Sequence, residues 1–255
     1  MSYKHFFQGI LAVTVQFACA QPSIGDILAR IDTQGHLNSD ITATVTIVET
    51  RPVQGESKFE LTYFRRDRDD AFLAVLESPE VEKGNGYLKI GNDFWMYRKN
   101  TRTFQRISRA ENIMGTDVKG SDLETRKFTQ LYRPAAGPDG KESIVDTLLG
   151  KSGVYRFDVA ARTNDVSYPK QRLWVRKDNF FILKIQSFSN SGALMQTQAF
   201  PEYTDLGGGR FLPLVGYVVD EFEKGNKSIF EIKNISVRKI SDAVFTKSYL
   251  ESLSR

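Results

Sequence analysis

Several side chains in this 255-residue chain have types and spacings that could support chemistry. Asp67, Asp69 and Asp70, within Arg65-Arg-Asp-Arg-Asp-Asp70, offer three carboxylates to a hard cation. The run lacks the glycine and the bidentate glutamate that a calcium loop needs downstream. Its arginines also neutralise it, so it reads as a solvated turn between strands. Glu221 and Glu223 stand two apart on a strand and so on one face, as an acid–base pair would. Their neighbours Asp220, Phe222 and Lys224 mark an outward rim instead. Gly207-Gly-Gly209 precedes a strand and lacks the Lys-Ser/Thr of a phosphate loop. There is no G-x-S-x-G elbow. Trp95 with Arg98, Arg102 and Arg106 could stack on bases, but cross-strand packing beside a basic rim accounts for them. The expectation is a protein that is not an enzyme, binds no nucleic acid and uses no metal or cofactor.

The ends and the composition narrow this further. Lys4, the apolar run 9–15 and Ala18-Cys19-Ala20 form an export signal with a small-x-small cleavage site before Gln21-Pro22. The apolar run is far short of the roughly 20 residues a transmembrane helix needs. Cleavage after Ala20 fits better than acylation of Cys19, because Gln16 and Phe17 replace the Leu-like and small residues expected before a lipid-bearing cysteine. Cleavage removes the only Cys and leaves His36 as the only His, which excludes thiolate sites and His-based triads. The net charge of +4, from 35 basic and 31 acidic residues, is a mixed balance and not a nucleic-acid-binding stripe. The expected location is the periplasm.

The elements that must position any site are mostly strands. Ile24, Ile27, Leu28 and Ile31 fall on one face of a helix over residues 23–31, with Ser23 and Asp26 at its start and Gly35 at its stop. Strand patterns follow at 41–50, 58–65, 71–77, 86–90, 94–98 and 103–107. A Gly-containing loop then leads to a capping-box spacing at Ser121-Asp-Leu-Glu124 and a short helix, and residues 143–149 read as a helical turn. Strands resume at 155–161, 171–176, 180–188, 194–203, 214–223 and 227–237. The whole is one antiparallel domain of about eleven strands with a few short helices, and such a sheet must curl or close to hide its edges. Alternation puts Trp95 and Tyr97 on one face and Phe94 and Met96 on the other.

Several composite motifs resemble the bacterial outer-membrane lipoprotein-sorting proteins related to LolA and LolB. They are Lys83-Gly-x-Gly-Tyr-Leu-Lys-Ile-Gly-Asn-Asp-Phe-Trp-Met-Tyr97, Arg106-Ile-Ser108, Ile113-Met-Gly-Thr-Asp117, Ser121-Asp-Leu-Glu124 and Ile240-Ser-Asp-x-Val-Phe-Thr246 to Tyr249-Leu250. The resemblance spans nearly all of residues 21–255. It implies a strongly curved, incomplete antiparallel β-barrel with a helical lid over an apolar cavity for acyl chains. On that reading residues 1–20 are a signal peptide and residues 21–255 a single lipid-binding domain. The function implied is a periplasmic carrier or chaperone that binds acyl chains of lipoproteins or lipids and delivers them toward the outer membrane. Its partners would be an inner-membrane releasing complex or exporter and an outer-membrane acceptor. The alternative is an adaptor of a resistance-nodulation-division-type exporter, with no cargo. Phe59, Leu61, Tyr63, Trp95 and Trp174 are the candidate cavity wall. Ile24, Ile27, Leu28, Ile31, Ile113 and Met114 are the candidate lid.

Overall fold

A computed structural model of the chain describes residues 21–253 apart from 126 and 138. The expected export signal, with Cys19, lies outside the described residues. Helix α1 (Ile24–Gly35) forms where the apolar spacing predicts it. Ser23 accepts from the Asp26 backbone at 3.1 Å, and the Asp26 carboxylate returns a contact to the Ser23 backbone. Ile24, Ile27, Leu28 and Ile31 are all buried.

Among the described residues fourteen strands make one antiparallel sheet. The first wing is β1 (Ile41–Arg51), β2 (Gly55–Arg66), β3 (Ala71–Ser78), β4 (Gly86–Ile90), β5 (Asp93–Arg98) and β6 (Thr103–Arg106). The second is β7 (Tyr132–Pro134), β8 (Val145–Leu149), β9 (Ser152–Ala161), β10 (Lys170–Arg176), β11 (Ile182–Phe188), β12 (Leu194–Asp205), β13 (Phe211–Asp220) and β14 (Lys227–Ser236). Helices α2 (Phe128–Leu131) and α3 (Lys247–Ser252) and three short 3-10 turns, Asp67–Asp69, Gly120–Asp122 and Asp242–Phe245, lie outside the sheet. The spatial order is β6-β5-β4-β3-β2-β1-β14-β13-β12-β11-β10-β9-β7, with β8 sharing the outer edge of β9. The wings join through β1 and β14, and the sheet is an incomplete barrel whose edges, β6 and β7, are unpaired with each other.

This order forces one feature. The chain leaves the sheet at one edge and re-enters at the other, so residues 107–131 must cross the opening between the edges. Together with α1 this crossover covers the concave face.

Inner and outer faces follow the period-two pattern. On β1 and β2 the inner row includes Val45, Ile47, Leu61 and Tyr63, all buried. Strands β3 to β5 are apolar on both faces because both are covered. Phe72, Ala74, Leu76 and Phe94 face the concave core, while Leu73, Val75, Leu88 and Tyr97 pack outward against Ile240, Val244, Phe245 and Leu250. The turn Asp242–Phe245 and α3 thus form an outer cap.

Three expectations need correction. Among the described residues there are fourteen strands where about eleven were expected, the short β7 and β8 adding to the twelve ranges read from the pattern. Residues 143–149 are not a helical turn: Val145 and Thr147 are β-branched, and Gly150, at φ 61°, turns the chain so that β8 pairs with β9. The acidic turn after β2 is not solvated, because Asp67 is buried and paired.

Candidate functional site

An apolar cavity of about 140 Å³ lies between the inner face of the joined wings and the two covers. Its walls are pairs of alternating residues: Val45 and Ile47 on β1, Gln198 and Phe200 on β12, Phe230 and Ile232 on β14. Ile31 of α1 and Val118 and Leu123 of the crossover close it. Phe230 lies over Gly216, its cross-strand partner; a Cβ there would sit 2.1 Å from the ring, so only glycine lets the ring lie flat on the wall. Around the opening stand Phe180, Phe181, Tyr203 and Phe211, with the Phe181 ring 4.4 Å from Tyr203 and 4.7 Å from Phe211. Phe180 holds a left-handed φ of 60°, rare for a bulky residue, and this turn delivers its ring to the opening.

A buried ion pair anchors both covers at one end. Arg65 donates to both Asp67 oxygens at 2.5 and 2.6 Å and to the Gly35 carbonyl at 2.6 Å. Asp67 also accepts from the Leu37 backbone at 2.7 Å and the Thr125 hydroxyl at 2.6 Å. One hub therefore joins β2, the end of α1 and the crossover. Burial pushes the Asp67 carboxyl up, but the Arg65 bonds outweigh it and the result lies below the usual range. Asp70 is likewise lowered: burial raises it, and Lys127 at 2.7 Å and Lys89 at 2.9 Å more than compensate. Tyr63 donates to the Leu123 carbonyl, and Asp32 of α1 accepts from the Phe128 and Thr129 backbones at 2.7 and 2.8 Å.

The middle of the crossover is held differently. Ile113 and Val118 are buried in one cluster with Leu61, Tyr87 and Phe94, Met114 and Leu123 pack at its margin, and the remaining tethers are polar. The Met114 amide donates to Tyr87 Oη at 2.9 Å, and Arg51 donates to the Gly115 carbonyl at 2.7 Å. The Asp117 amide donates to Ser228 Oγ at 3.2 Å, and Gln196 and Gln198 donate to Asp117 and Asp122 at 3.0 and 2.8 Å. The Asp117 carboxyl is raised, first by burial and then by Asp220 and Glu49, with Arg51 opposing. Gly120 lies against Phe94, where a Cβ would come within 2.1 Å of the ring, so this glycine is what lets the crossover backbone lie on the wall.

The candidate wall divides. Phe59, Leu61 and Tyr63 share the inner face of β2, and Tyr63 borders the cavity. Trp95 and Trp174 do not join them. Trp95 sits on the outer face under Lys247, whose Nζ is 3.2 Å from the ring centroid, and Trp174 faces outward against Lys184 at 4.9 Å. Their strand neighbours Phe94, Leu173 and Val175 take the inward positions. The candidate lid residues divide between two clusters, Ile24, Ile27, Leu28 and Ile31 packing with the β9 to β12 side and Ile113 and Met114 with the β1 to β5 side, and of the six only Ile31 borders the cavity. Phe200, Phe230 and Ile232 are wall residues that the sequence reading missed. Their spacing of two marked them as strand-face pairs without saying which face. Among the described residues no group of His, Cys, Asp and Glu could hold a metal ion, and no helix is long and apolar enough to cross a membrane.

A protein-family model described as "Uncharacterized protein" matches residues 68–252. No curated protein matches the sequence. Solved structures do. A LolA superfamily protein from Nitrosomonas europaea superposes with a TM-score of 0.74 at 22% identity, over 90% of this chain and 100% of that one. A domain described provisionally as an outer membrane lipoprotein-sorting protein, from Vibrio parahaemolyticus, gives 0.77 at 17% identity over 89% and 97%. A DUF1329 family protein from Desulfovibrio piger gives 0.74 at 19% identity over 89% and 97%. At these identities the likeness is one of fold.

Proposed function

The chain belongs to the family of uncharacterized proteins whose model spans residues 68–252, and it has the LolA-type fold; on that basis we propose that it is a periplasmic carrier of acyl chains. The observation that carries this reading is the apolar cavity under a crossover whose middle is tethered mainly by polar contacts. On this reading residues 21–255 are one lipid-binding domain, exported by the signal in residues 1–20.

The cavity volume says how loading proceeds. About 140 Å³ is close to the roughly 150 Å³ of an apolar protein cavity that takes one benzene, and well below the roughly 300 Å³ of small ligand pockets. On this reading the structure is a closed form, and a whole acyl chain is accommodated when a cover moves. Burying ten methylenes contributes roughly 8 kcal/mol. The five polar tethers of the crossover middle are worth about 1 kcal/mol each. The chain also re-covers the wall that Ile113 and Val118 would vacate, so loading can displace the crossover. Because the methylenes are held by apolar contact, the cargo's chain can leave again at an apolar acceptor. The steps this implies are receipt from an inner-membrane complex or exporter and delivery to an outer-membrane acceptor.

Titration of the purified protein with a fluorescent acyl probe tests the reading. Saturable enhancement is expected, abolished by Phe230→Asp in the wall and retained by Trp95→Ala on the outer face. Uptake that survives the first change and fails with the second would exclude this cavity.

A further inference from the structure

The concave face is not apolar throughout. A second cavity, of about 80 Å³, lies between the crossover and the inner face of β10 to β12. It meets the apolar cavity at Asp122, Glu124 and Gln198, which border both. Two glutamines in its wall have side-chain oxygens that are buried and, among the described residues, accept from nothing. Gln196 is 3% exposed, and its orientation is set because its nitrogen donates to the Asp117 carbonyl. That leaves Oε1 as an acceptor without a donor. Gln171 donates to Ser187 Oγ at 3.1 Å and leaves its own oxygen in the same condition.

The two glutamines stand in one row. Gln171 pairs with Ser187, and Ser187 with Gln196. Two strand spacings put their backbones about 10 Å apart, with only the small Ser187 between. Two amide side chains reaching across that span can share a single donor group. Buried acceptors left unmade are costly, so the site calls for N–H or O–H groups.

Charge narrows the choice. Asp122, Glu124 and Asp165 border the cavity against Arg109 and Lys127. Both cations are already paired, Arg109 with Glu124 and Asp165 and Lys127 with Asp70. The Tyr168 phenol is pushed well above its ordinary value, first by burial and then by Asp122, Asp220 and Asp117, with Lys119 Nζ 5.6 Å from its ring centroid. An anionic head is disfavoured. A hydroxyl brings one donor, and an ammonium brings three with the complementary charge.

Resting on the carrier reading, we propose that this cavity is the head-group subsite of the acyl site and takes a primary ammonium borne on an apolar chain. Gln171 and Gln196 accept from it, and Asp122 supplies the opposing charge where the two cavities meet.

Displacement of the fluorescent acyl probe from the full protein by dodecylammonium, dodecanol, dodecanoate and free ethanolamine tests this. Dodecylammonium should compete at a concentration about tenfold lower than dodecanol, as expected for one charge-assisted hydrogen-bond set, and dodecanoate should be weakest. The double variant Gln171→Met/Gln196→Met should bring the ratio of dodecylammonium to dodecanol affinity close to one, a readout that a loosened crossover common to both ligands does not move. Equal affinities for the three heads, or a preference that survives in the variant, would overturn the subsite while leaving the acyl site standing. Displacement by ethanolamine alone would assign the cavity to a free amine and overturn the head-group role. If the probe itself does not bind, the carrier reading falls and the subsite with it.

Discussion

The two covers of the concave face are built on opposite principles. Helix α1 presents four buried aliphatic side chains, has its own capping box, and ends on the Arg65–Asp67 hub. Each such side chain is worth roughly 1.5–3 kcal/mol, so the helix is held by about as much as a whole acyl chain would contribute. The crossover from residue 107 to 131 shares that hub through Thr125, but the fully buried apolar side chains of its middle are Ile113 and Val118, beside the buried polar Thr116 and Asp117. Its other tethers run to a polar stretch of wall, where Gln196, Gln198 and Ser228 take positions that are apolar elsewhere. A cover held by apolar burial is a permanent part of the core. A cover held largely by single hydrogen bonds can lift and re-form. Topology placed the second kind across the opening, because the chain must pass there to reach the far edge of the sheet.

The largest test of this difference removes what the covers share. Arg65→Ala leaves Asp67 buried without its cation and should cost about 3–5 kcal/mol, loosening α1 and the crossover together; denaturant unfolding measures it. A loss below about 1 kcal/mol would mean that the covers do not depend on a common hub. Next, Leu28→Ala should cost about 2–5 kcal/mol as a core truncation, lowering global stability while the crossover amides keep their protection relative to the rest. Gly120→Ala should do the reverse. The added Cβ meets the Phe94 ring and lifts the crossover, so hydrogen exchange at residues 113–118 should accelerate several-fold with little change in the global midpoint. Ser228→Ala should have the same local effect on a smaller scale, about 1 kcal/mol or less.

The smallest effect is in pH. Asp117 is raised in the folded state, so its ionised form opposes closure at neutral pH, and closure tightens as pH falls through its folded value toward the ordinary carboxylate value of about 3.9. Asp67 and Asp70 are lowered, so their contribution is complete above the ordinary value and is lost only as pH falls through their folded values. Mild acid should therefore slow exchange of the crossover before the anchor weakens, once intrinsic rates are corrected for, and Asp117→Asn should remove the trend. A crossover that loosens steadily from neutral pH downward would contradict this assignment.

Much of this comparison was legible in the chain. Helix α1 was readable because its signal is local, a 3.6 period with Ser23 and Asp26 at its start. Most strands were readable from alternation and glycine turns. The inward face was not, because a shift of one residue exchanges the faces of a strand. Trp95 illustrates this: Phe94 and Trp95 are equally good wall residues until α3 and its neighbours are seen to cover the outer face of β3 to β5. The anchor hub was hidden because Asp67 and Arg65 look like a solvated turn until α1 and Thr125 close over them. Gln196, Gln198 and Ser228 were hidden for the same reason, since polar residues on a strand read as solvent-facing unless something polar packs on them. What sequence pattern conveys is periodicity; which polar residues become buried depends on the crossover, a long-range consequence of the strand order.

The central claim is that the cavity under the crossover carries acyl chains. Native mass spectrometry of the protein released intact from its own cell envelope, with extraction and identification of bound lipid, addresses it most directly. The account predicts a stoichiometric acyl-bearing species that is lost on Phe230→Asp and kept on Trp95→Ala. A protein that emerges empty, and that takes up no acyl probe afterwards, would contradict it.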